Sequence, residues 1–133
     1  MRAVLDTNVL VSGLFFGGVP RAVLDAWAEG RFELAVSPLI IDEYLRTCDR
    51  LSESHPGVEY GQALAALIGH AILVPDEPLG PVSADPDDDK FLWCARRAGA
   101  VVVSGDSDLL DVTGWRGVDV LRPRVWLESL NNA

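Results

Sequence analysis

The chain alternates short apolar runs with segments of helical character, and this alternation constrains its fold more than any other feature. The runs are "RAVLD" (2–6), "FELAVS" (32–37), "AILVP" (71–75), "AVVVSGD" (100–106) and "VDVLRP" (118–123). Strands that alternate with helices form parallel sheets covered on both faces, with right-handed crossovers. We therefore predict a three-layer α/β/α sandwich around a mostly parallel sheet of four to five strands.

The segments between these runs carry start and stop signals of helices. A short helix or turn over 8–18 ends in two glycines, and a helix over 20–30 begins with proline and ends with glycine. Ser37 followed by Pro38 is an N-cap and first-turn pair for the next helix. Gly99 is a C-cap candidate after the helix that begins near residue 88. Four prolines in 75–86 predict a loop.

Length and composition are those of a soluble globular protein. The 133 residues predict one domain over 1–133, and 49 % hydrophobic and 23 % charged residues are ordinary proportions. Because no apolar run approaches the ~20 residues that span a bilayer, we expect a cytoplasmic protein without membrane association. Cys48 and Cys94 fall inside predicted helices, so we expect no disulfide framework.

Acidic residues converge on one edge of the predicted sheet. The net charge is −9, which by itself argues against nucleic acid unless the acids are concentrated to hold cations. Asp6 and Asp106 follow two strands, whereas Glu43 and the run 87–89 lie near the starts of helices that follow strands. Carboxyl ends of parallel strands and the starts of the following helices share an edge, where ligands bind. Four chain segments therefore bring carboxylates together.

Each of these acids also has an ordinary structural interpretation, as a helix cap, a turn residue or a surface charge. Their shared placement favours a cation, since packed carboxylates repel one another, and oxygen ligands suit Mg²⁺ or Mn²⁺. An EF-hand counted from Asp85 would need glycine at Lys90 and glutamate at Arg96. The two His and two Cys lack the spacing of a zinc finger.

Four motifs in order resemble the PIN-domain family of ribonucleases, most closely toxins of the VapC type. They are "VLDTNVLVSGL", "SPLIIDEYLR", "DPDDDKFLWCARRAGA" and "VVVSGDSDLL", and the resemblance runs from residue 2 to about residue 125. It implies a PIN-like fold and metal-dependent hydrolysis of RNA phosphodiester bonds with one or two Mg²⁺ or Mn²⁺ ions. It also implies a homodimer and inhibition by a small antitoxin protein.

The resemblance assigns the catalytic and metal-binding acids residue by residue. They are Asp6, Glu43 (preferred over Asp42 for its "EYL" context), Asp88 and Asp106. The third acid falls within 87–89, where the spacing to Ala95 and Gly99 selects Asp88. The supporting residues expected around these acids are Asn8, Ser104, Asp108 and Asp89. The arginines expected nearest the edge, for phosphate contacts, are Arg21, Arg46 and Arg50.

Three alternatives compete with this interpretation. A phosphatase of the haloacid dehalogenase type needs a second aspartate at the position of Asn8. A response-regulator receiver domain needs a lysine after a late strand, whereas Lys90 opens a helix. A PIN-like module for RNA processing or RNA binding, without a toxin role, is the third. All four acid positions are filled, which favours an enzyme.

Overall fold

A five-stranded sheet forms the centre of the protein in the computed structural model, which describes residues 1–132. All its neighbouring strands pair in parallel, in the order β3-β2-β1-β4-β5. The strands are β1 (Arg2–Leu5), β2 (Glu33–Val36), β3 (Ile72–Leu73), β4 (Val101–Val103) and β5 (Val120–Leu121). The predicted α/β/α class is confirmed, with five strands that are each shorter than the apolar run that predicted them.

Within residues 1–132, seven helices flank the sheet. They are α1 (Thr7–Phe15), α2 (Gly18–Ala28), α3 (Pro38–Ser54), α4 (Gly61–His70), α5 (Asp89–Ala98), α6 (Ser107–Leu110) and α7 (Pro123–Asn131). Two 3₁₀ turns cover Pro86–Asp88 and Trp115–Gly117. The sequence predicted α2 from residue 20, but it begins two residues earlier, since proline fits anywhere in a first turn, where no intrahelical donor is needed. It did not predict α6.

The central strand β1 is buried throughout its apolar part. Ala3, Val4 and Leu5 are fully inaccessible, and so are Val102 and Val103 beside them in β4. Continuous apolar runs are expected where a parallel sheet is covered on both faces. The edge strands β3 and β5 have only two residues each, which limits exposed pairing edges. Cys48 and Cys94 are buried and form no disulfide among the described residues.

The start of α3 differs in detail from its prediction. Ser37 occupies the N-cap position ahead of Pro38, but its side chain makes no cap bond and its Oγ is buried without a partner. The Asp76 carboxylate, from the loop after β3, accepts from the backbone N–H of Leu39 at 2.9 Å. A distant residue therefore supplies the cap, which a local sequence motif cannot reveal.

A buried tyrosine fixes α3 against the end of β1. The Tyr44 hydroxyl donates to the Leu5 carbonyl at 2.5 Å, one residue before Asp6. The side chain is fully inaccessible, and burial raises the pKa of Tyr44 well above its usual value. Because Glu43 precedes Tyr44, this bond also sets where Glu43 stands relative to Asp6.

Among residues 1–132, no single helix is long and apolar enough to span a membrane; α1 and α2 pass that test together, and they are bent by 93° at the break between them.

Gly13 allows α1 and α2 to approach closely, and this yields a stability prediction. A Cβ at Gly13 would lie 2.8 Å from the Pro20 carbonyl oxygen and 2.7 Å from Leu24 Cδ1. We expect Gly13→Ala to lower the free energy of unfolding by ~1–3 kcal/mol through overpacking. Gly69→Ala in α4 meets open space, so we expect it to raise stability by up to ~1 kcal/mol. Urea denaturation measures the free energy of unfolding of both variants. Equal changes in the two variants would contradict the prediction.

Candidate metal centre

The candidate site lies where the direction of chain progression reverses. From β1 the chain moves through β2 to β3 on one side, and β4 and β5 then continue on the other side of β1. Ligands of open α/β sheets bind outside the carboxyl ends of the strands at such a switch point. Asp6 follows β1 directly, and Ser104 and Asp106 follow the neighbouring β4. Parallel pairing of two central strands therefore brings their polar ends together.

Asp6 is a buried carboxylate held by local hydrogen bonds. Its side chain is 6 % exposed, and its Oδ2 accepts from the Ser104 hydroxyl at 2.6 Å. Its Oδ1 accepts from the backbone N–H of Asn8 at 3.3 Å, whereas the Asn8 side chain is exposed. Burial raises the pKa of Asp6, and the charges of Asp106 and Glu43 add to this, although the two hydrogen bonds act against it.

Three further carboxylates form a cluster next to Asp6. Asp88, Asp106 and Asp108 each place one carboxylate oxygen within 4.8 Å of the others. Two local bonds shape the loop after β4: Asp106 Oδ1 accepts from the backbone N–H of Asp108, and the Ser104 Oγ accepts from the backbone N–H of Asp106, both at 2.9 Å. Asp6 therefore lies beside this three-aspartate cluster, and its charge acts on the acids in it.

Asp88 carries the largest electrostatic conflict in the cluster. Its pKa is raised from 3.8 to about 7, chiefly by burial, then by the neighbouring Asp106 carboxylate and by the charges of Asp6 and Asp85. Its Oδ2 is buried and has no hydrogen-bond partner among the described residues. No lysine or arginine of residues 1–132 forms an ion pair with the three-aspartate cluster. An all-oxygen donor set with uncompensated charge fits a hard divalent cation such as Mg²⁺ or Mn²⁺.

Glu43, in contrast, is already compensated. Its Oε1 forms an ion pair with Lys90 Nζ at 2.8 Å, and its Oε2 accepts from the Thr7 hydroxyl. The Lys90 ammonium also donates to the Asp87 carbonyl at 2.5 Å. Asp42, the alternative acid on α3, instead pairs with Arg46 at 2.9 Å and is exposed. Sequence reasoning missed Thr7 and Lys90, although the only lysine of the chain directly follows the acidic run.

The acids of the run 85–89 have separate roles. Asp85 Oδ1 accepts from the backbone N–H of Asp87 at 3.0 Å and caps the 3₁₀ turn. Asp89 is 2 % exposed and accepts from the backbone N–H groups of Val82 at 3.2 Å and Ser83 at 2.7 Å. The structure thus brings Asp88 to the three-aspartate cluster and turns Asp89 toward the preceding loop.

None of the three arginines expected near the edge forms an ion pair with Asp6, Glu43, Asp88 or Asp106. Arg21 donates to the carbonyls of Gly13 at 2.6 Å and Leu14 at 3.4 Å, near the end of α1. Arg46 is held by Asp42, and Arg50 is exposed on α3. Among residues 1–132, the basic residue that forms an ion pair with one of these acids is Lys90, paired with Glu43.

The raised pKa of Asp88 predicts a pH-dependent stability of the metal-free protein. Between about pH 4 and pH 7 the folded state holds a proton on Asp88 that the unfolded state has lost, so the free energy of unfolding falls as pH rises. We expect Asp88→Asn to match the wild type near pH 4 and to be more stable above pH 7, as measured by urea denaturation in EDTA.

Asp42→Asn is the matched control, because Asp42 is an exposed acid in an ion pair. The free energy of unfolding of Asp42→Asn should differ little from that of the wild type, and this difference should not change with pH as it does for Asp88→Asn. A wild-type advantage over Asp88→Asn at pH 8 in EDTA would contradict the prediction. Excess Mg²⁺ should reduce the difference in stability between Asp88→Asn and the wild type at pH 8, because it neutralises the acids of the wild type.

Comparison with known proteins supplies the family. The PIN domain family model matches residues 2–108, which include every acid of the site. The chain is 28 % identical over 116 residues to the uncharacterized protein MJ1680 of Methanocaldococcus jannaschii, across 84 % of this chain and 75 % of that protein. A chain in the crystal structure of VapBC2 from Rickettsia felis bound to a DNA fragment from their promoter has a similar fold, with a TM-score of 0.61 and 11 % identity over 92 % of this chain and 98 % of that chain. The chain belongs to the PIN domain family.

Proposed function

We propose that the protein is an endoribonuclease that hydrolyses RNA phosphodiester bonds with Mg²⁺ or Mn²⁺. The observation that carries this proposal is the three-aspartate cluster beside buried Asp6, whose negative charges have no basic partner among residues 1–132. Membership of the PIN domain family supports the same activity. The donor set contains only carboxylates, as expected for a hard cation.

The residues that would hold the ion are Asp88, Asp106 and Asp108, with Asp6 next to them. A divalent cation there supplies charge neutralisation for the scissile phosphate and acidity for the attacking water. Ser104 orients Asp6 through its hydroxyl and fixes the loop that carries Asp106.

Lys90 and Thr7 hold Glu43 in a fixed position beside these acids. A second ion would have to compete with the Lys90 ammonium for the Glu43 carboxylate. The arrangement therefore favours a single ion at the three-aspartate cluster over two ions. In either case Glu43 enters the reaction already oriented, which reduces the ordering required when substrate binds.

We further propose that the protein is the toxin of a toxin–antitoxin module, with a small antitoxin partner and a homodimeric state. The support is the PIN domain match together with the fold shared with a chain of the VapBC2 structure. A PIN domain that processes or binds RNA without acting as a toxin is the competing function, and growth assays separate the two.

Cleavage of RNA tests the catalytic proposal. Purified protein should cleave single-stranded RNA in the presence of Mg²⁺ or Mn²⁺, and cleavage should stop when EDTA is added. Asp6→Asn and Asp106→Asn should each lose more than about 100-fold in rate, since several kcal/mol of charge stabilisation depend on these acids. Asp42→Asn removes an equal charge next to Glu43 but outside the site, and it should retain wild-type activity. Equal activity in all four proteins, or cleavage without metal, would refute the proposal.

Expression in bacteria tests the toxin proposal separately. Wild-type protein should arrest growth, Asp106→Asn should not, and co-expression of the product of a neighbouring gene should restore growth. The reason is that arrest then depends on the same uncompensated acids as cleavage. A protein that cleaves RNA in vitro yet leaves growth unchanged would favour the RNA-processing role.

A further inference from the structure

The outward face of α5 carries cations around one tryptophan. Lys90, Trp93 and Arg97 recur at i, i+3 and i+7, with Arg96 beside them, so they lie in one stripe along the helix. The opposite face of α5 is buried and packs against β1, β2 and β4. The stripe begins next to the metal centre at Lys90 and runs the length of the helix away from it.

Trp93 separates two shallow cavities on this face. The first, of about 210 Å³, contains Arg46 and Lys90 and adjoins the acids, because Lys90 Nζ contacts Glu43 at 2.8 Å. Trp93 is half-buried, and its Nε1 donates to the Gly80 carbonyl at 3.0 Å, which restricts rotation of the indole. A large aromatic side chain held in place between two cavities is suited to stacking.

The second cavity, of about 320 Å³, contains Arg96, Arg97 and Arg116. Arg97 pairs with Glu77, whereas Arg96 and Arg116 have no carboxylate within ion-pair distance in residues 1–132. Arg116 is also the only non-glycine residue of that range with a positive φ, at 47°. This left-handed conformation is unfavourable for arginine. The Arg116 guanidinium lies over the Trp115 ring, 5.3 Å from its centroid, and forms no ion pair in residues 1–132.

The charge of the two cavities is opposite to that of the chain. Together they are lined by five of the 11 basic residues and by two carboxylates, Asp87 and Glu77. Among the described residues, three of the five basic residues form ion pairs, with Asp42, Glu43 and Glu77, and Arg96 and Arg116 do not. The protein as a whole has a net charge of −9. Positive charge with an interleaved aromatic side chain is the chemistry that binds single-stranded nucleic acid.

We propose that the Trp93 groove, defined by Arg46, Lys90, Trp93, Arg96, Arg97 and Arg116, is the path by which single-stranded RNA reaches the metal centre. The inference rests on the ribonuclease proposed above. An unpaired base stacks on Trp93, and backbone phosphates contact Arg96 and Arg116, which form no ion pair in residues 1–132. Duplex RNA does not fit this scheme, because its bases are already stacked on one another.

Binding measured without hydrolysis tests the groove. A short fluorescein-labelled single-stranded RNA of mixed sequence is titrated with wild-type protein in EDTA, and anisotropy is followed between about 50 and 200 mM salt. Trp93→Leu should weaken binding by about 5- to 150-fold, the range expected for the loss of one stacked base, without changing the salt dependence.

Arg116→Gly should have a different signature. It should weaken binding and reduce the slope of log K against log salt by about 0.7, the value for one phosphate contact to a single strand. Its melting temperature should not fall, since glycine accepts the left-handed backbone without strain. Arg31→Ala removes an equal charge from the turn before β2, where Arg31 bonds Asn131 at 2.7 Å, and should leave affinity and slope unchanged.

The outcomes separate the two proposals. If folded Trp93→Leu and Arg116→Gly bind RNA with wild-type affinity, the proposed role of the groove is wrong, and a protein partner becomes the better occupant. This result would not bear on the ribonuclease proposal. Equally tight, Trp93-dependent binding of duplex RNA would also overturn it. RNA binding that depends on both residues, in a protein that never cleaves RNA with Mg²⁺ or Mn²⁺, would support the groove and refute the ribonuclease.

Discussion

The Ser104 hydroxyl joins the two central strand ends on which the site depends. It donates to Asp6 at the end of β1 and accepts from the backbone N–H of Asp106 after β4. Both strands are buried and paired in parallel, so this contact is set by the register of the sheet rather than by a flexible loop. Tyr44 adds a second tie by bonding the Leu5 carbonyl, which brings α3 and Glu43 to the same place. Rigid elements therefore carry the acids.

The acids around this junction differ chiefly in how their charge is compensated. Asp89 accepts two backbone N–H groups, and Glu43 has Lys90 and Thr7. Asp6 has Ser104 and the N–H of Asn8. Asp88 has a buried oxygen with no partner, and its pKa is raised to about 7. Because leaving a buried carboxylate unpaired is unfavourable, the conflict at Asp88 marks where a cation would restore the balance.

Strand order made part of the site predictable from sequence, whereas the geometry at the start of α5 was not predictable. Asp6 and Asp106 could be placed together because β1 and β4 are strongly apolar runs and parallel strands share an edge. The roles of Asp88 and Asp89 could not be separated, since a 3₁₀ turn passes into α5 between them and turns their side chains apart. The Lys90–Glu43 pair joins residues 47 positions apart, and the Asp76 cap of α3 joins residues 37 positions apart. Such contacts depend on loop paths that carry no periodic signal.

The charges of α5 are compatible with the proposed anionic substrate, although the protein as a whole is acidic. Its first turn carries Asp89 and its last turn Arg96 and Arg97, an order that favours the helix dipole at both ends. Asp88, directly before α5, lies at the candidate metal centre, and Arg96 and Arg97 lie about one helix length away, because α5 starts at that edge of the sheet. The potential thus changes sign along one helix, on a scale comparable with the Debye length of about 8–10 Å. In the proposed groove, an RNA strand would be attracted to the far end of α5 and would meet repulsion at the acids, where a bound cation would remove it. Net charge alone therefore does not argue against the proposed RNA substrate, because the charges are unevenly placed along α5.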